Sequence, residues 1–568
     1  QEMLDMKTED SPTPPELHRP YVDEVKLHCP SNGCSGEMIR EPYVMDCWFD
    51  SGCASFAQWH YPFENDDNFT NSFPVDYICE GVDQTRGWFY SQLAVSTTVF
   101  DELAYKRCLS LGLLMDKEGK KMSKSRGNTI DPWDHFNREG ADAVRWYMMT
   151  QSAPWNSTNF DPNGVRETYA KMFLTLWNVH KFHSDYAALD GFDPEDESAF
   201  IPISQRSGLD RWILSRLHTV AHSYHEQFVS WDFHKAGRDL EDFVVNDLSN
   251  WYVRRSRRRL WDDADSTDKR ACQFTLHEVL ITVCKLMAPV APFMVDKIHR
   301  DLTGVSVHLM DWPVGSDLVE STLPPMNYGL EQEMALVRTL AETGRRIRVD
   351  SNRRQRLPCK SGWIVGGPDI SEFHDILAEE LNVESLTTEN DLDRFQRIEV
   401  LPNRKALGKK CRQDLPSVLA LFAEADSDTV LLEIDSGICF FAGYEITIED
   451  IEIRRVEQDG YAASTISDED IGDVSLVLDL SLDDVLLSKG LGRDIIRRVQ
   501  AKRKDLDLDV EATISLSIWI EGQELAESDW MRVQSETRAA TGSMNDGQPP
   551  KTASTFSVDD IVVQFIVE

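Results

Sequence analysis

The stretch Val75-Asp76-Tyr77-Ile78-Cys79 is a short apolar run that closes on Glu80-Gly81 and gives way to a helical pattern through Phe89, Leu93 and Val99. Strand, loop and helix in that order commit this part of the chain to an α/β sheet. In an open α/β sheet, ligands collect at the carboxyl ends of strands and at the helix N-termini that come next. Glu80, Gly81, Asp83 and Gln84 are therefore candidate ligand contacts, with one carboxylate placed to accept an ammonium group and another to bond hydroxyls.

About forty residues downstream, LLMDKEGKKMSKSRGNTIDP carries Lys121-Met122-Ser123-Lys124-Ser125. When a carboxylate attacks the α-phosphorus of ATP and expels pyrophosphate, negative charge grows on oxygens that need ammonium groups and backbone amides around them. Lys121 and Lys124 supply such charge. Ser123, Ser125, Gly119 and Gly127 let the main chain approach phosphate closely and bend between open and closed forms. The pentapeptide alone also fits a solvated basic loop.

Taken together, WFDSG (Trp48 to Gly52), EGVDQTRGWF (from Glu80) and KMSKSRGN (from Lys121) resemble the second half of the catalytic domain of class I aminoacyl-tRNA synthetases, most closely isoleucyl-tRNA synthetase. DLSNWYVRRSRRRLW (Asp247 to Trp261) resembles that family's anticodon-binding helices, and GLGRDIIRRVQAKRKDLDL its C-terminal helix. There the family's Glu-Gly-Leu-Ala-Arg-Glu is replaced by Lys489-Gly490-Leu491-Gly492-Arg493-Asp494. The resemblance implies an isoleucine–tRNA ligase that uses ATP and Mg²⁺ to make the adenylate, then passes the acyl group to the 3′ end of its tRNA. It makes Lys121 and Lys124 catalytic, and assigns Glu80, Gly81, Asp83, Gln84 and Lys121 through Ser125 to ATP and the adenylate. Trp48 and Trp88, otherwise ordinary core residues, would wall the isoleucine pocket. Rival expectations are a valyl- or leucyl-tRNA synthetase, a tRNA-binding fragment without chemistry, and an unrelated adenylyl-transferring enzyme that needs no tRNA.

None of the 14 histidines forms the His-x-Gly-His pair with which this family grips ATP, and no editing module precedes WFDSG. The chain is therefore expected to be a C-terminal fragment, inactive by itself, whose selection of isoleucine over valine would be error-prone. Pocket contacts alone discriminate about 150-fold in isoleucyl-tRNA synthetase, which is the general example for a one-methylene difference.

Composition raises a conflict with nucleic-acid binding. The chain has 59 Lys+Arg against 97 Asp+Glu, a formal charge of -38, whereas phosphate contacts supply much of the affinity of RNA-binding proteins. The acidic excess is spread along the chain and Lys is scarce relative to Arg, which suggests adaptation to a salt-rich cytoplasm where a Debye length of ~3 Å at molar salt screens self-repulsion. With 41% hydrophobic residues, 15 Trp and 25 Phe, disorder is excluded. No apolar run reaches the roughly 18 residues of a membrane span. A cytoplasmic monomer with no membrane contact is expected.

Eleven cysteines in no framework spacing fit a reducing compartment. Cys29 and Cys34, in HCPSNGCSGEM, sit on a Pro/Gly turn that could present two thiolates to zinc. The family places a structural zinc here, with two further cysteines from sequence preceding residue 1; a pair of free thiols is the alternative.

The expected architecture is the second half of a Rossmann-like catalytic domain followed by an all-α anticodon-binding bundle and a mixed α+β C-terminal region. Residues 1–60 read as the end of an inserted zinc-bearing segment and 61–150 as the sheet with the KMSKS loop. Residues 151–200 read as a stem-contact connector, 201–320 as the helical anticodon-binding domain and 321–568 as a C-terminal tRNA-binding region. NREGADAVRWYMM has helical periodicity through Ala143, Trp146 and Tyr147, and a linker is expected from His183 through Ser204. Leu209, Trp212, Ile213, Leu217 and Val220 share one helix face. Arg254, Arg255, Arg257, Arg258 and Arg259 form the densest basic run in an acidic chain, which favours phosphate contact over a merely solvated face. Trp251 and Tyr252 beside them fit either stacking on unpaired anticodon bases or the bundle core. Further cationic islands lie at Arg345 to Arg356 and at Arg404 to Lys410. Strands are expected at Glu445 to Ile453 and Val510 to Trp519.

Overall fold

The computed structural model describes residues 2–43, 47–261, 266–315, 321–437, 439–509, 512–558 and 560–568. The expected boundary at residue 320 falls outside these. The chain forms two compact units, each assembled from several stretches: residues 1–181, 220–245 and 281–316 make the first, and 182–219, 246–280 and 317–568 the second.

In the first unit, the strand expected before Glu80 is present as Ile78–Gly81, paired in parallel with Cys108–Leu111 from Ile78 opposite Cys108 to Gly81 opposite Leu111. The Trp88–Phe100 helix makes the crossover between them, as a parallel pair requires. Leu114–Met115 continues beyond Leu111 and pairs in parallel with Thr158–Asn159. The chain passes so close to Asn156 at this point that a Cβ on Gly112 would lie 2.1 Å from the Asn156 carbonyl oxygen; only glycine fits there. Asp131 caps the Pro132–Arg138 helix through Trp133 N–H at 3.0 Å. Gly140 then turns the chain with φ +88° into the Ala141–Gln151 helix, whose Ala143, Trp146 and Tyr147 are buried as their spacing predicts. Trp146 donates its indole N–H to Glu241 at 3.1 Å, and the Asp142 carboxylate accepts Met294 N–H at 2.7 Å, at the start of the Pro292–Thr303 helix.

The linker expected from His183 is corrected. The Leu174–Asp190 helix runs through His183 to Asp190, and the break comes at Gly191 with φ +64°. Tyr186-Ala187-Ala188-Leu189 holds no helix breaker, so the turn-forming composition belongs only to the residues from Gly191 onward.

The second unit contains the Gly208–Val229 helix as far as Thr219, with Leu209, Trp212, Ile213 and Leu217 buried together; Val220, beyond that point, is buried too. Between Ile203 and Leu309 the described residues contain helices and no strand. Phe243–Val253 is wound as a π-helix and passes directly into the Arg254–Trp261 helix. After the Tyr328–Asp350 helix the unit mixes helix and sheet. Tyr461–Asp468, Gly472–Asp479, Cys359–Val365 and Val383–Glu389 form a four-stranded sheet in that order. The helix packs on it, a Cβ on Gly344 lying 3.3 Å from Leu476 Cδ2, and more tightly on the His374–Leu381 helix, whose Leu381 Cδ2 that Cβ would meet at 2.1 Å. A C-terminal sheet holds Ile514–Glu521 at its centre, with Leu491, Ile495 and Val499 of the Asp484–Asp505 helix packed against Leu516 and Ile518.

Two strand expectations need adjustment. The second strand is Ile514–Glu521, and Val510, expected at its start, lies outside the described residues. The first is not continuous: Thr447 and Asp450 cap one another around a 3₁₀ turn at Ile448–Asp450, so the ladder starts only at Ile451 and runs to Glu457. A reciprocal cap satisfies backbone groups that a strand would have offered to a neighbour.

Candidate functional site

Glu80 is exposed at the carboxyl end of its strand, and the next residues form a 3₁₀ turn, Val82–Arg86, before the helix begins at Trp88. Gln84 bridges that gap: its side-chain oxygen accepts Trp88 N–H at 2.9 Å, and its amide donates to the Asp83 carboxylate at 3.2 Å. A Cβ on Gly81 would lie 2.7 Å from Asp83 Oδ1, and one on Gly87 would lie 2.6 Å from Gln84 Oε1, so a side chain at either position would displace these two groups. Gln84 thus orients Asp83 and caps the helix. The helix carrying Trp48, Cys47–Gly52, packs on the helix carrying Trp88: the Trp88 indole donates to Ser51 O at 3.0 Å, and a Cβ on Gly52 would meet Ser91 O at 2.9 Å. Trp88 is half-buried, whereas Trp48 stays 42% exposed.

The KMSKS residues sit on a tied loop that leaves the Leu114–Met115 strand. Met115 bridges to Lys121, closing a hairpin whose turn uses Gly119 at φ +77°. Asp116 is buried beneath the turn. Its carboxylate accepts Lys120 N–H at 2.7 Å and Asn128 Nδ2–H at 2.7 Å, while Asn128 Oδ1 accepts Ser123 N–H at 2.9 Å. The Asn128 amide and then the Lys120 backbone hold the Asp116 carboxyl below the usual carboxylate range. Lys124–Arg126 makes a single 3₁₀ turn that ends at Gly127 with φ +66°. Lys121, Lys124 and Ser125 are exposed, and Met122 and Ser123 are half-buried. The loop thus presents two ammonium groups and several N–H groups near the carboxyl end of a parallel strand pair, chemistry suited to a phosphate chain.

Cys29 and Cys34 lie in the loop that joins the Lys26–His28 and Glu37–Ile39 strands, with their thiols within hydrogen-bond reach of each other. Cys29 N–H donates to Gly36 O at 3.1 Å and Gly36 N–H points at Cys34 Sγ at 3.4 Å. Hydrogen bonds from Ser31, backbone first, lower the Cys29 thiol from its ordinary value. The hairpin suits thiolate ligation, yet among the described residues no three His, Cys, Asp or Glu converge on one point. Two thiolates are half of a tetrahedral zinc site.

The Arg254–Trp261 helix is more neutralised than its sequence implies. Arg254 bonds Glu380 at 2.7 Å, Arg255 contacts Glu380 and bonds Glu379 at 3.1 Å, and Arg258 reaches Glu379 at 3.5 Å. Burial, joined by the like charge of Arg254, pushes Arg255 down to about 10 despite those partners. Arg259 donates to both oxygens of fully buried Asp210, at 2.8 and 2.7 Å, and also to Asp268. Burial opposes the charge of Arg259, but the bonds to Asp210 outweigh it and raise its pKa. Arg257 is exposed, with no carboxylate at ion-pair distance among the described residues.

Of the two readings open for Trp251 and Tyr252, burial matches the bundle core. Trp251 is 5% exposed and Tyr252 0%. The Trp251 indole donates to Met334 Sδ at 3.2 Å, and the guanidiniums of Arg254, Arg255 and Arg338 lie 5.4–5.9 Å from its ring centroid. Cations thus lie over the indole ring.

Two family models match the chain: tRNA synthetases class I (I, L, M and V) over residues 6–161, and the anticodon-binding domain of tRNA ligase over residues 210–361. The chain is 40% identical over 510 residues to isoleucine–tRNA ligase 2 of a Bacillus cereus strain, covering 88% of this chain and 48% of that relative. It belongs to the isoleucyl-tRNA synthetases of class I. Isoleucine–tRNA ligase of Clostridium acetobutylicum is 38% identical over 526 residues, 90% of this chain and 49% of the relative. The synthetase chain therefore spans about half the length of the relatives it matches. Among its described residues no helix is long and apolar enough to cross a membrane.

Sequence reading of this synthetase chain missed Asp116 and Asn128, which tie the KMSKS loop, and Asp210, Glu379 and Glu380, which neutralise the arginines. Asp116 has a signal in hindsight: Asp-Lys-Glu-Gly is a tight-turn sequence whose first side chain bonds the backbone ahead of it. The distant carboxylates have none.

Proposed function

We propose that this chain carries the KMSKS loop and the tRNA-reading regions of an isoleucine–tRNA ligase adapted to a salt-rich cytoplasm. In the complete enzyme, the isoleucine carboxylate attacks the α-phosphorus of ATP, a P–O bond forms, and pyrophosphate leaves with the electron pair of the broken bond. Lys121 and Lys124 stabilise the charge gathering on the phosphate oxygens, and the N–H groups of the loop add to them. Glu80 binds the isoleucine ammonium and Asp83, oriented by Gln84, bonds the ribose. Trp88 and Trp48 border the aliphatic side chain. Mg²⁺ accompanies ATP and neutralises its phosphates. A ribose hydroxyl of the terminal adenosine then attacks the acyl carbon and AMP departs. Cys29 and Cys34 would supply two of the four ligands of a structural zinc.

The observation that carries this reading is the Asp116–Asn128 clasp, which holds the loop with both ammonium groups exposed. The test is binding of the full 568-residue chain to tRNA reading isoleucine codons, with valine tRNA as competitor, from low to molar KCl. Selective binding that survives molar KCl supports an isoleucine-tRNA reader in a halophilic enzyme. Weak binding without preference refutes the assigned tRNA identity.

A further inference from the structure

The first unit holds a cavity of about 250 Å³ that no motif marks, between the last turn of the Thr267–Met287 helix and the chain around and after the Val307–Leu309 turn. Pockets for drug-sized ligands run from about 300 to 1,000 Å³, so an occupant of this one is small. Ala288, Val307, Met310 and Trp312 give it apolar walls, while Lys285 and Asp311 bring one charge of each sign. His308 lines it too, but its Nε2 bonds the Pro292 carbonyl oxygen at 3.1 Å.

Lys285 and Asp311 are the unusual pair. A lysine in the last turn of a helix complements the helix dipole from an exposed position, whereas Lys285 is half-buried. Burial pushes its pKa down, and the attraction of Asp311 only partly opposes that. The two charges feel each other yet do not meet: neither side chain joins an ion pair or a hydrogen bond among the described residues. An ammonium and a carboxylate held apart beside an apolar wall complement a molecule that carries both charges and an apolar arm. A simple carboxylate would also face Asp311, and a simple amine would also face Lys285, like-charge contacts that select against each. The apolar wall is fixed in place. The Trp312 indole donates to His225 Nδ1 at 3.1 Å, and its ring stacks with Tyr224 at 29°, centroids 6.2 Å apart. Val307 is buried, and its N–H donates to the Asp296 carboxylate at 3.0 Å. Walls already ordered lose little entropy when a ligand arrives.

We propose that this cavity binds a free α-amino acid with a short apolar side chain, its carboxylate on Lys285, its ammonium on Asp311 and its aliphatic arm against Met310 and Trp312. The site shares no residue with the Glu80, Asp83 and Trp88 region. The proposal goes beyond the ligase reading and does not depend on tRNA binding.

The test is isothermal titration calorimetry of the full 568-residue chain with L-leucine, glycine, 4-methylpentanoate and 3-methylbutylamine. The last two are leucine without its ammonium and leucine without its carboxylate. Leucine is expected to bind about tenfold more tightly than any of the other three. Lys285→Met should weaken leucine binding about tenfold, as loss of a charge-assisted hydrogen bond in a half-buried site does. Asp311→Asn, a change at an exposed side chain that leaves folding intact, should weaken it about threefold; far-UV circular dichroism checks both variants. Glu80→Gln should leave this binding unchanged. Loss of leucine binding in Glu80→Gln, with none in either cavity variant, overturns the second site and returns the ligand to the strand end. Equal binding of 4-methylpentanoate or 3-methylbutylamine overturns the pairing of both charges, and equal binding of glycine overturns the apolar arm. Binding of no probe overturns the cavity and leaves the ligase reading standing.

Discussion

Replacing Asp210 by alanine is expected to unfold the second unit at much lower denaturant than any exposed charge deletion. The Asp210 side chain is 0% exposed, and its oxygens accept Tyr252 O–H, both terminal nitrogens of Arg259 and Ser207 O–H, the last at 2.8 Å. Alanine leaves Arg259, whose side chain is only 15% exposed, with Asp268 on its outer side as its remaining carboxylate partner. It also leaves the buried Tyr252 hydroxyl with only a weak contact to Cys272 Sγ at 3.5 Å. Breaking one partner of a buried pair costs about 3–5 kcal/mol; an unsatisfied buried hydroxyl adds about 1–3 kcal/mol, and the two overlap because they share one carboxylate. We therefore expect a loss of about 4–6 kcal/mol for Asp210→Ala. Asp268→Ala, which removes the 54% exposed partner of the same guanidinium, should cost about 1 kcal/mol or less. The assay is urea unfolding in molar KCl followed by tryptophan fluorescence, with both variants at identical salt. Arg259→Met in the Asp210→Ala background removes the stranded charge and should recover about half of the loss. Equal midpoints for Asp210→Ala and Asp268→Ala would falsify the claim that this buried carboxylate, rather than the exposed one, holds the arginine helix.

Asp116→Ala should free the KMSKS hairpin, raising the rate of tryptic cleavage at Lys120, Lys121 and Lys124 roughly tenfold, since local opening controls cleavage; an unchanged digestion pattern would sink the clasp. The Asp116 carboxyl lies below its ordinary value, so its tie is fully present above the unfolded carboxylate pKa of about 3.9 and is lost as pH falls through the lower folded value. Loop protection measured by hydrogen exchange should therefore decline only in acid below about pH 4. Gly112→Ala places a Cβ against the Asn156 carbonyl and should destabilise the first unit by about 1–3 kcal/mol, read as a fall in Tm; a Tm within a degree or so of wild type, where 1 kcal/mol would move it by about 2–4 °C, would show that the strands can part at little cost. Raising KCl from about 0.1 to 1 M shortens the Debye length from ~10 to ~3 Å, so a chain of charge -38 should gain thermal stability with KCl; a flat or falling Tm argues against salt adaptation.

Local order settled much of this molecule in advance. The strand–turn–helix around Glu80, the helix bearing Ala143, Trp146 and Tyr147, and the buried face from Leu209 to Val220 come from periodicity and glycine placement, because those forces act between residues a few positions apart. The KMSKS loop was legible for the same reason, as were the thiols of the Cys29–Cys34 hairpin. What failed was mostly distant. The arginines after Trp251 read as an RNA-facing surface because their neighbours in sequence carry no negative charge, yet Glu379, Glu380 and Asp210 reach them from more than forty residues away. The chain alone therefore determined which segments become helix, strand or phosphate-suited loop. Only the tertiary structure decided which charges stay available to a ligand, because pairing and burial depend on which carboxylate another element brings within 3 Å or so of a guanidinium, a distance that no local pattern encodes.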